Sequence, residues 1–234
     1  LIKKKRSDIL KRHFLSESAW VIGFILLFIF IKTAVFSFYL VPSQSMEPNI
    51  IPGDRVFVNK LSYGFWIPFF DKPLLQWGFP KRGEILVFAS QDNTYVKRVI
   101  GLPHDLIAFQ KGVLFVNGQK VAQTLFQHQE AGTWGSLPWE ILEERSAALS
   151  LPSHFIFMSK QPGKTYFETQ RFLVPKDKVF VLGDNRDSSL DSRAFGFVEK
   201  SSFYGKASFV LFSTTGRQDF LPEFRMERFF KKID

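Results

Sequence analysis

A serine hydroxyl is a weak nucleophile until a nearby base takes its proton, and a lysine can act as that base only while its amine is uncharged. The 234-residue chain carries both groups in compact segments. One is Pro42-Ser43-Gln44-Ser45-Met46-Glu47-Pro48, the other Tyr95-Val96-Lys97-Arg98-Val99-Ile100-Gly101-Leu102-Pro103. Two further segments stand out, Arg82-Gly83-Glu84-Ile85-Leu86-Val87-Phe88 and Gly183-Asp184-Asn185-Arg186-Asp187-Ser188-Ser189-Leu190-Asp191-Ser192-Arg193. Taken singly, each has an ordinary reading: a loop serine between prolines, a solvent-facing strand lysine, a polar turn.

Read as a pair, Ser45 and Lys97 pose a defined electrostatic requirement. The lysine pKa must fall from about 10.4 toward about 8, a loss of roughly 3 kcal/mol of charge stabilisation. Burial among apolar side chains can impose that fall, and the aliphatic run around Lys97 offers such surroundings. The adjacent Arg98 adds a like charge that pushes the same way if it stays close.

Competing chemistries fit less well. There is no Cys, hence no thiolate nucleophile and no thiolate metal site. The four histidines are scattered as His13, His104, His128 and His154, with no H-E-x-x-H, and read as surface or structural residues. No G-x-S-x-G or S-x-x-K pattern occurs. The acidic residues of 184–191 miss the calcium-loop spacing, so no metal is expected.

These segments need a frame. Short apolar runs broken by turns predict strands at Arg55–Asn59, Ile85–Ala89, Tyr95–Ile100, Val179–Leu182 and Ala207–Phe212. Val113–Val116, Asn117-Gly118 and Gln119–Val121 spell a hairpin, because Asn-Gly supplies the positive φ angles of a type I′ turn. The fold class is mostly β. A less regular region, about 122–172, reads as an inserted subdomain or cap, with a helix predicted near Pro138–Leu149. The 29 Phe require a thick core or contact with lipid or an apolar substrate.

The formal charge of +9 invites a nucleic-acid reading, but its placement argues otherwise. Lys3, Lys4, Lys5, Arg6, Lys11 and Arg12 crowd the start, and an uncharged run from Ala19 to Ile31 follows. That order is the positive-inside signature of a membrane span. No nucleic-acid-binding pattern accompanies the charge. The expected organisation is a basic cytoplasmic segment (1–17), a transmembrane anchor (18–38) and an extracytoplasmic domain (39–234). An uncleaved anchor is favoured over a cleaved leader, since the run is long and lacks a clean small-residue cleavage site. Trp66, Phe69 and Phe70 are candidates for resting at the lipid interface. The chain begins at Leu rather than Met, leaving room for an upstream segment.

Together, in this order behind one anchor, the four segments resemble the bacterial type I signal peptidases. The resemblance runs from the basic N-terminus to about Val198 and is weakest in the inserted region. It implies Ser45 as nucleophile and Lys97 as general base. Ser43 would help bind the oxyanion with the backbone N–H of Ser45, and Ser189 would hydrogen-bond and orient the amine. Asp184, Arg186, Asp191, Arg193 and Arg98 would form a supporting charge network, while Tyr95 and Met46 would line the substrate groove.

No cofactor is implied. The implied partners are preproteins with signal peptides, cleaved after small residues at the first and third positions before the scissile bond, and the lipid bilayer of the cytoplasmic membrane. No nucleic acid is implied, and nothing in the residues sets an oligomeric state. Two departures from the family pattern, His104 in place of a common Gly and Ser188 in place of a common Asn, touch loop geometry rather than the dyad. Two other readings are a relative dedicated to one substrate and a catalytically silent domain that binds extended peptides. Retention of Ser45, Lys97 and Ser189 together disfavours the silent domain.

Overall fold

The computed structural model describes residues 2–66, 73–90, 93–110, 112–129, 139–159, 169–215 and 223–233, with side chains from Ser18 onward apart from those of 129, 159 and 169. Helix α1 (Ile2–Ala34) passes through Val35 into strand β1 (Phe36–Leu40). Large apolar residues from Trp20 to Ile31 are exposed around the whole helix. Among the described residues no helix is long and apolar enough to cross a membrane. The anchor expected over 18–38 is corrected at its C-terminal end. Residues 36–38 are extended because their rings find cross-strand partners in β2 (Asp54–Asn59), where Phe36 stacks on Phe57 at 5.6 Å.

The chain continues through the short pair β3 (Gly64–Phe65) and β4 (Leu75–Gln76) into the hairpin of β5 (Ile85–Ser90) and β6 (Asn93–Gly101). Next come β7 (Leu106–Gln110), β8 (Val113–Val116) and β9 (Gln119–Lys120), then β10 (Ala122–Gln129), β11 (Trp139–Ser146) and β12 (Leu151–Ser159). The chain closes with β13 (Thr169–Leu173), β14 (Lys178–Leu182), the one-turn helix α2 (Ser192–Phe195), β15 (Val198–Glu199), β16 (Phe203–Ser213) and β17 (Lys231–Lys232). All five predicted strands are present, and the Asn117-Gly118 turn has φ of 53° and 79°.

The main sheet runs β1-β2-β16-β5-β6-β14-β15, with β17 added on β16. A second sheet, β13-β7-β8-β9, packs Ile107, Phe109, Leu114 and Val116 against Ile100, Phe180 and Leu182 of the main sheet. The inserted region forms its own antiparallel sheet, β10-β11-β12.

The helix predicted near Pro138–Leu149 is replaced, over its described part, by β11 and a turn at 147–150. Glu and Leu favour helix in isolation, but β11 is held between two partners, pairing from Trp139 to Ser146 with β12 and from Trp139 to Arg145 with β10. Tertiary pairing outweighs a propensity of a few tenths of a kcal/mol per residue. Trp66 is also corrected. It is 5% exposed, with its ring edge-on to Tyr204 at 5.1 Å, so it packs inward rather than toward a lipid surface. Phe69 and Phe70 lie outside the described residues.

Candidate active site

Lys97 sits mid-strand in β6, opposite Leu86 of β5, with β14 on the other flank. It therefore lies in the interior of the sheet and is only 3% exposed. Ser45 comes from the turn between β1 and β2, which is anchored from behind by burial of Met46 and Ile50 in the core. The two meet with Lys97 Nζ 2.5 Å from Ser45 Oγ, and Ser43 Oγ lies 3.2 Å from Ser45 Oγ on another side.

Among the described residues the amine has no carboxylate in contact. Burial pulls its pKa down to about 8; Asp191 and Asp184 oppose the fall and Arg193 adds to it. The like charge thus comes from Arg193 and not from the adjacent Arg98. Alternation along the strand sends Arg98 to the other face, where a carboxylate neutralises it: Arg98 Nε and Nη2 donate to Asp184 Oδ1 and Oδ2, each at 2.8 Å. Burial raises the Asp184 carboxyl, but Arg98, with His154 and Asn49, outweighs that and holds it below its usual range.

The segment 183–193 folds over Ser45 and Lys97. Asp191 caps α2 and accepts from Gly183 N at 3.0 Å, and Arg193 bridges its two oxygens. Arg193 Nη2 also donates to the Arg186 carbonyl at 2.6 Å. Asn185 N donates to the Ser45 carbonyl at 3.2 Å, tying this loop to the nucleophile turn. Gly183 is required by space: a Cβ there would lie 2.1 Å from Ser189 Oγ and 2.5 Å from the Ser45 carbonyl oxygen. Ser45, Gly183 and Ser189 therefore meet at one point.

Two expectations change. Ser189 Oγ is buried with no hydrogen-bond partner among the described residues, so the expected bond to Lys97 is absent; the short contact of the amine goes to Ser45 Oγ instead. Met46 is fully buried among Val41, Ile50, Val56 and Val58, so it supports the turn from behind and does not line a groove. Arg186 pairs with Glu144, which extends the charge network of the 183–193 segment to the inserted sheet. Tyr95 flanks the amine, with Lys97 Nζ 6.0 Å from its ring centroid and Phe88 stacked behind it at 5.7 Å.

Sequence reading missed Glu144, and also Asn49, whose amide donates to Asp184 Oδ2 at 2.7 Å and to the Phe155 carbonyl at 2.6 Å. It also passed over Glu47, two residues past the nucleophile and 3% exposed, whose carboxyl burial pushes up to about 7 against the opposing charge of Arg225. His104 has φ of 71°, so its place does demand the left-handed conformation that Gly would supply.

Comparison with known proteins identifies the family of the chain. Residues 15–212 match the family model described as signal peptidase, peptidase S26. The signal peptidase I of Buchnera aphidicola subsp. Schizaphis graminum is 29% identical over 95% of this chain and 82% of its own length. That of Pseudomonas aeruginosa is 36% identical over 75% of this chain, which spans 64% of that protein. That of Rickettsia akari is 34% identical, covering 83% of this chain and 79% of its own. A solved signal peptidase I from Enterococcus faecalis V583 aligns at 26% identity over 56% of this chain and 97% of that one, with a TM-score of 0.34.

Proposed function

The chain belongs to the signal peptidase family, peptidase S26, and from that premise we propose that it removes signal peptides from secreted preproteins with Ser45 as nucleophile and Lys97 as general base. One observation carries the reading: a buried amine, whose pKa burial pulls down to about 8 and which has no carboxylate in contact among the described residues, lies 2.5 Å from a serine hydroxyl. Near neutral pH a useful fraction of that amine is unprotonated and can accept the hydroxyl proton as Ser45 Oγ attacks the scissile carbonyl. The Ser43 hydroxyl and the backbone N–H of Ser45 stabilise the oxyanion. Lys97 then returns the proton to the leaving amine, and water clears the acyl-enzyme with Lys97 again as base.

Substrate selection follows from extended binding. A peptide laid along a strand edge aims alternate side chains at the same wall, and shallow pockets there admit small groups at the first and third positions before the cut. Tyr95 borders that groove.

The all-round exposure of apolar residues on α1 supports membrane attachment, with the basic N-terminus cytoplasmic and the peptidase domain outside. The helical part of the predicted span is about 25 Å long, against a hydrocarbon thickness of about 30 Å. Local thinning and outward reach of Lys32 accommodate that difference.

The decisive experiment incubates detergent-solubilised protein with a preprotein carrying an A-x-A site. Ser45→Ala and Lys97→Arg are each expected to lose about 10³-fold or more, because Arg cannot deprotonate in a protein. An active Lys97→Arg enzyme would remove lysine from the base role.

A further inference from the structure

We propose that Glu144, on the inserted sheet, is a positioning residue of the peptidase site that holds the 183–193 loop over the dyad through Arg186. This rests on the reading of Ser45 and Lys97 as the reacting pair, and it assigns a task to a region that otherwise stands apart from the catalytic sheet.

Glu144 is 0% exposed, although β11 lies in a sheet with little core of its own. Strand alternation would let a carboxylate there face water, and Glu140 and Glu143 on the same strand are both less buried. Glu144 instead receives donors from two elements, with the His154 ring of a third beside it. Gln123 of β10 donates to its Oε1 at 3.0 Å, and His154 Nε2 of β12 stands 3.4 Å from its Oε2. Arg186 of the catalytic loop completes a two-pronged pair, with Nη1 2.9 Å from Oε1 and Nη2 on Oε2. Burial raises the Glu144 carboxyl, yet Arg186 and His154 outweigh it and keep it well below its usual range, so the group stays anionic.

The backbone makes the same junction. Phe157 N donates to the Asp184 carbonyl at 2.9 Å and Arg186 N donates to the Phe157 carbonyl at 3.0 Å, a parallel bridge between β12 and the catalytic loop. Asn49 joins Phe155 of β12 to Asp184. From Arg186 the connection continues inward, since its carbonyl accepts from Arg193, which clasps Asp191. Asp184 and Asp191 are the two carboxylates that raise the Lys97 amine, with Arg193 opposing them.

Removing the Glu144 charge strands a buried guanidinium. The nearest anions acting on Arg186 are then Asp184 and Asp191. As Arg186 turns toward them, their pull on Lys97 weakens and the amine pKa falls further. Loop displacement lowers turnover, while the strand edge that binds substrate is untouched.

The test uses the full chain in detergent with the A-x-A preprotein, comparing wild type, Glu144→Gln, Glu144→Asp and Glu143→Gln, with Ser45→Ala in parallel. Glu144→Gln is expected to lower kcat about tenfold with KM within about twofold, and to move the acid limb of the rate profile to lower pH by about half a unit. Glu144→Asp, which keeps the charge, should fall between it and wild type, and Glu143→Gln should match wild type. Wild-type kcat and an unmoved acid limb in Glu144→Gln would overturn the proposal, even if its melting temperature dropped. Should Glu144→Gln fail to fold, a wild-type kcat and acid limb in Glu144→Asp would overturn it equally. Cleavage surviving in Ser45→Ala would instead overturn the peptidase reading beneath it.

Discussion

The two faces of β6 treat a buried positive group in opposite ways. Lys97 and Arg98 are consecutive and almost equally hidden, at 3% and 1% exposure. The Arg98 face offers a bidentate carboxylate from Asp184 and a carbonyl from Gly83, so the charge is kept and becomes scaffold. The Lys97 face offers the Ser45 hydroxyl and, among the described residues, no carboxylate in contact, so the charge is discouraged and the amine pKa falls to about 8. Burial alone does not make a reactive amine. Burial without an acid in contact does, and the strand supplies both outcomes within one residue.

The comparison breaks most readily on the paired face. Asp184→Ala leaves Arg98 buried and uncompensated, and chemical denaturation should show a loss of about 3–5 kcal/mol. A loss below about 1 kcal/mol would mean that the guanidinium finds solvent, and the contrast would fail.

On the unpaired face the sign reverses. The Lys97 pKa is lowered in the folded state, so below about pH 8 the fold carries the full penalty of a buried charge, and the penalty fades as pH rises from about 8 to the unfolded value of 10.5. Lys97→Met should therefore abolish cleavage yet stabilise the protein by about 2–3 kcal/mol at pH 7, with the gain shrinking toward pH 10.5. Denaturation curves across that range check it, and a constant difference between variant and wild type would refute it.

The smallest effect concerns Ser189, whose buried hydroxyl has no hydrogen-bond partner among the described residues. Ser189→Ala is expected to lower kcat about tenfold with little change in unfolding midpoint. Unchanged turnover from pH 6 to 10 would leave that hydroxyl without a task.

The legible parts of the sequence were those whose meaning is local. Ser45 between prolines, Lys97 in an apolar run and the Gly183–Arg193 loop announce themselves within a few residues, and the Asn117-Gly118 turn dictates its own hairpin. What escaped depends on distant pairing. Glu144 meets Arg186 across 42 positions, and only the register of β11 between its neighbours turns that side chain inward. The same pairing converted a segment with helical preference into a strand. Met46, beside the nucleophile, reads as a surface contact in one dimension, but the turn that presents Ser45 requires the next side chain to point into the core. The partner of a charge was also hidden, since Arg98 follows Lys97 in the chain while its field is cancelled on the opposite side of the sheet.

The passage from α1 to β1 contains no slack. Val35 N still donates to the Ile31 carbonyl, its own carbonyl receives Lys60 N, and Lys60 Nζ holds the Thr33 carbonyl at 2.8 Å. The helix is thus joined to the catalytic body like a handle welded to a blade. Any surface or layer that grips the helix fixes the height and tilt at which the cutting edge meets a passing chain.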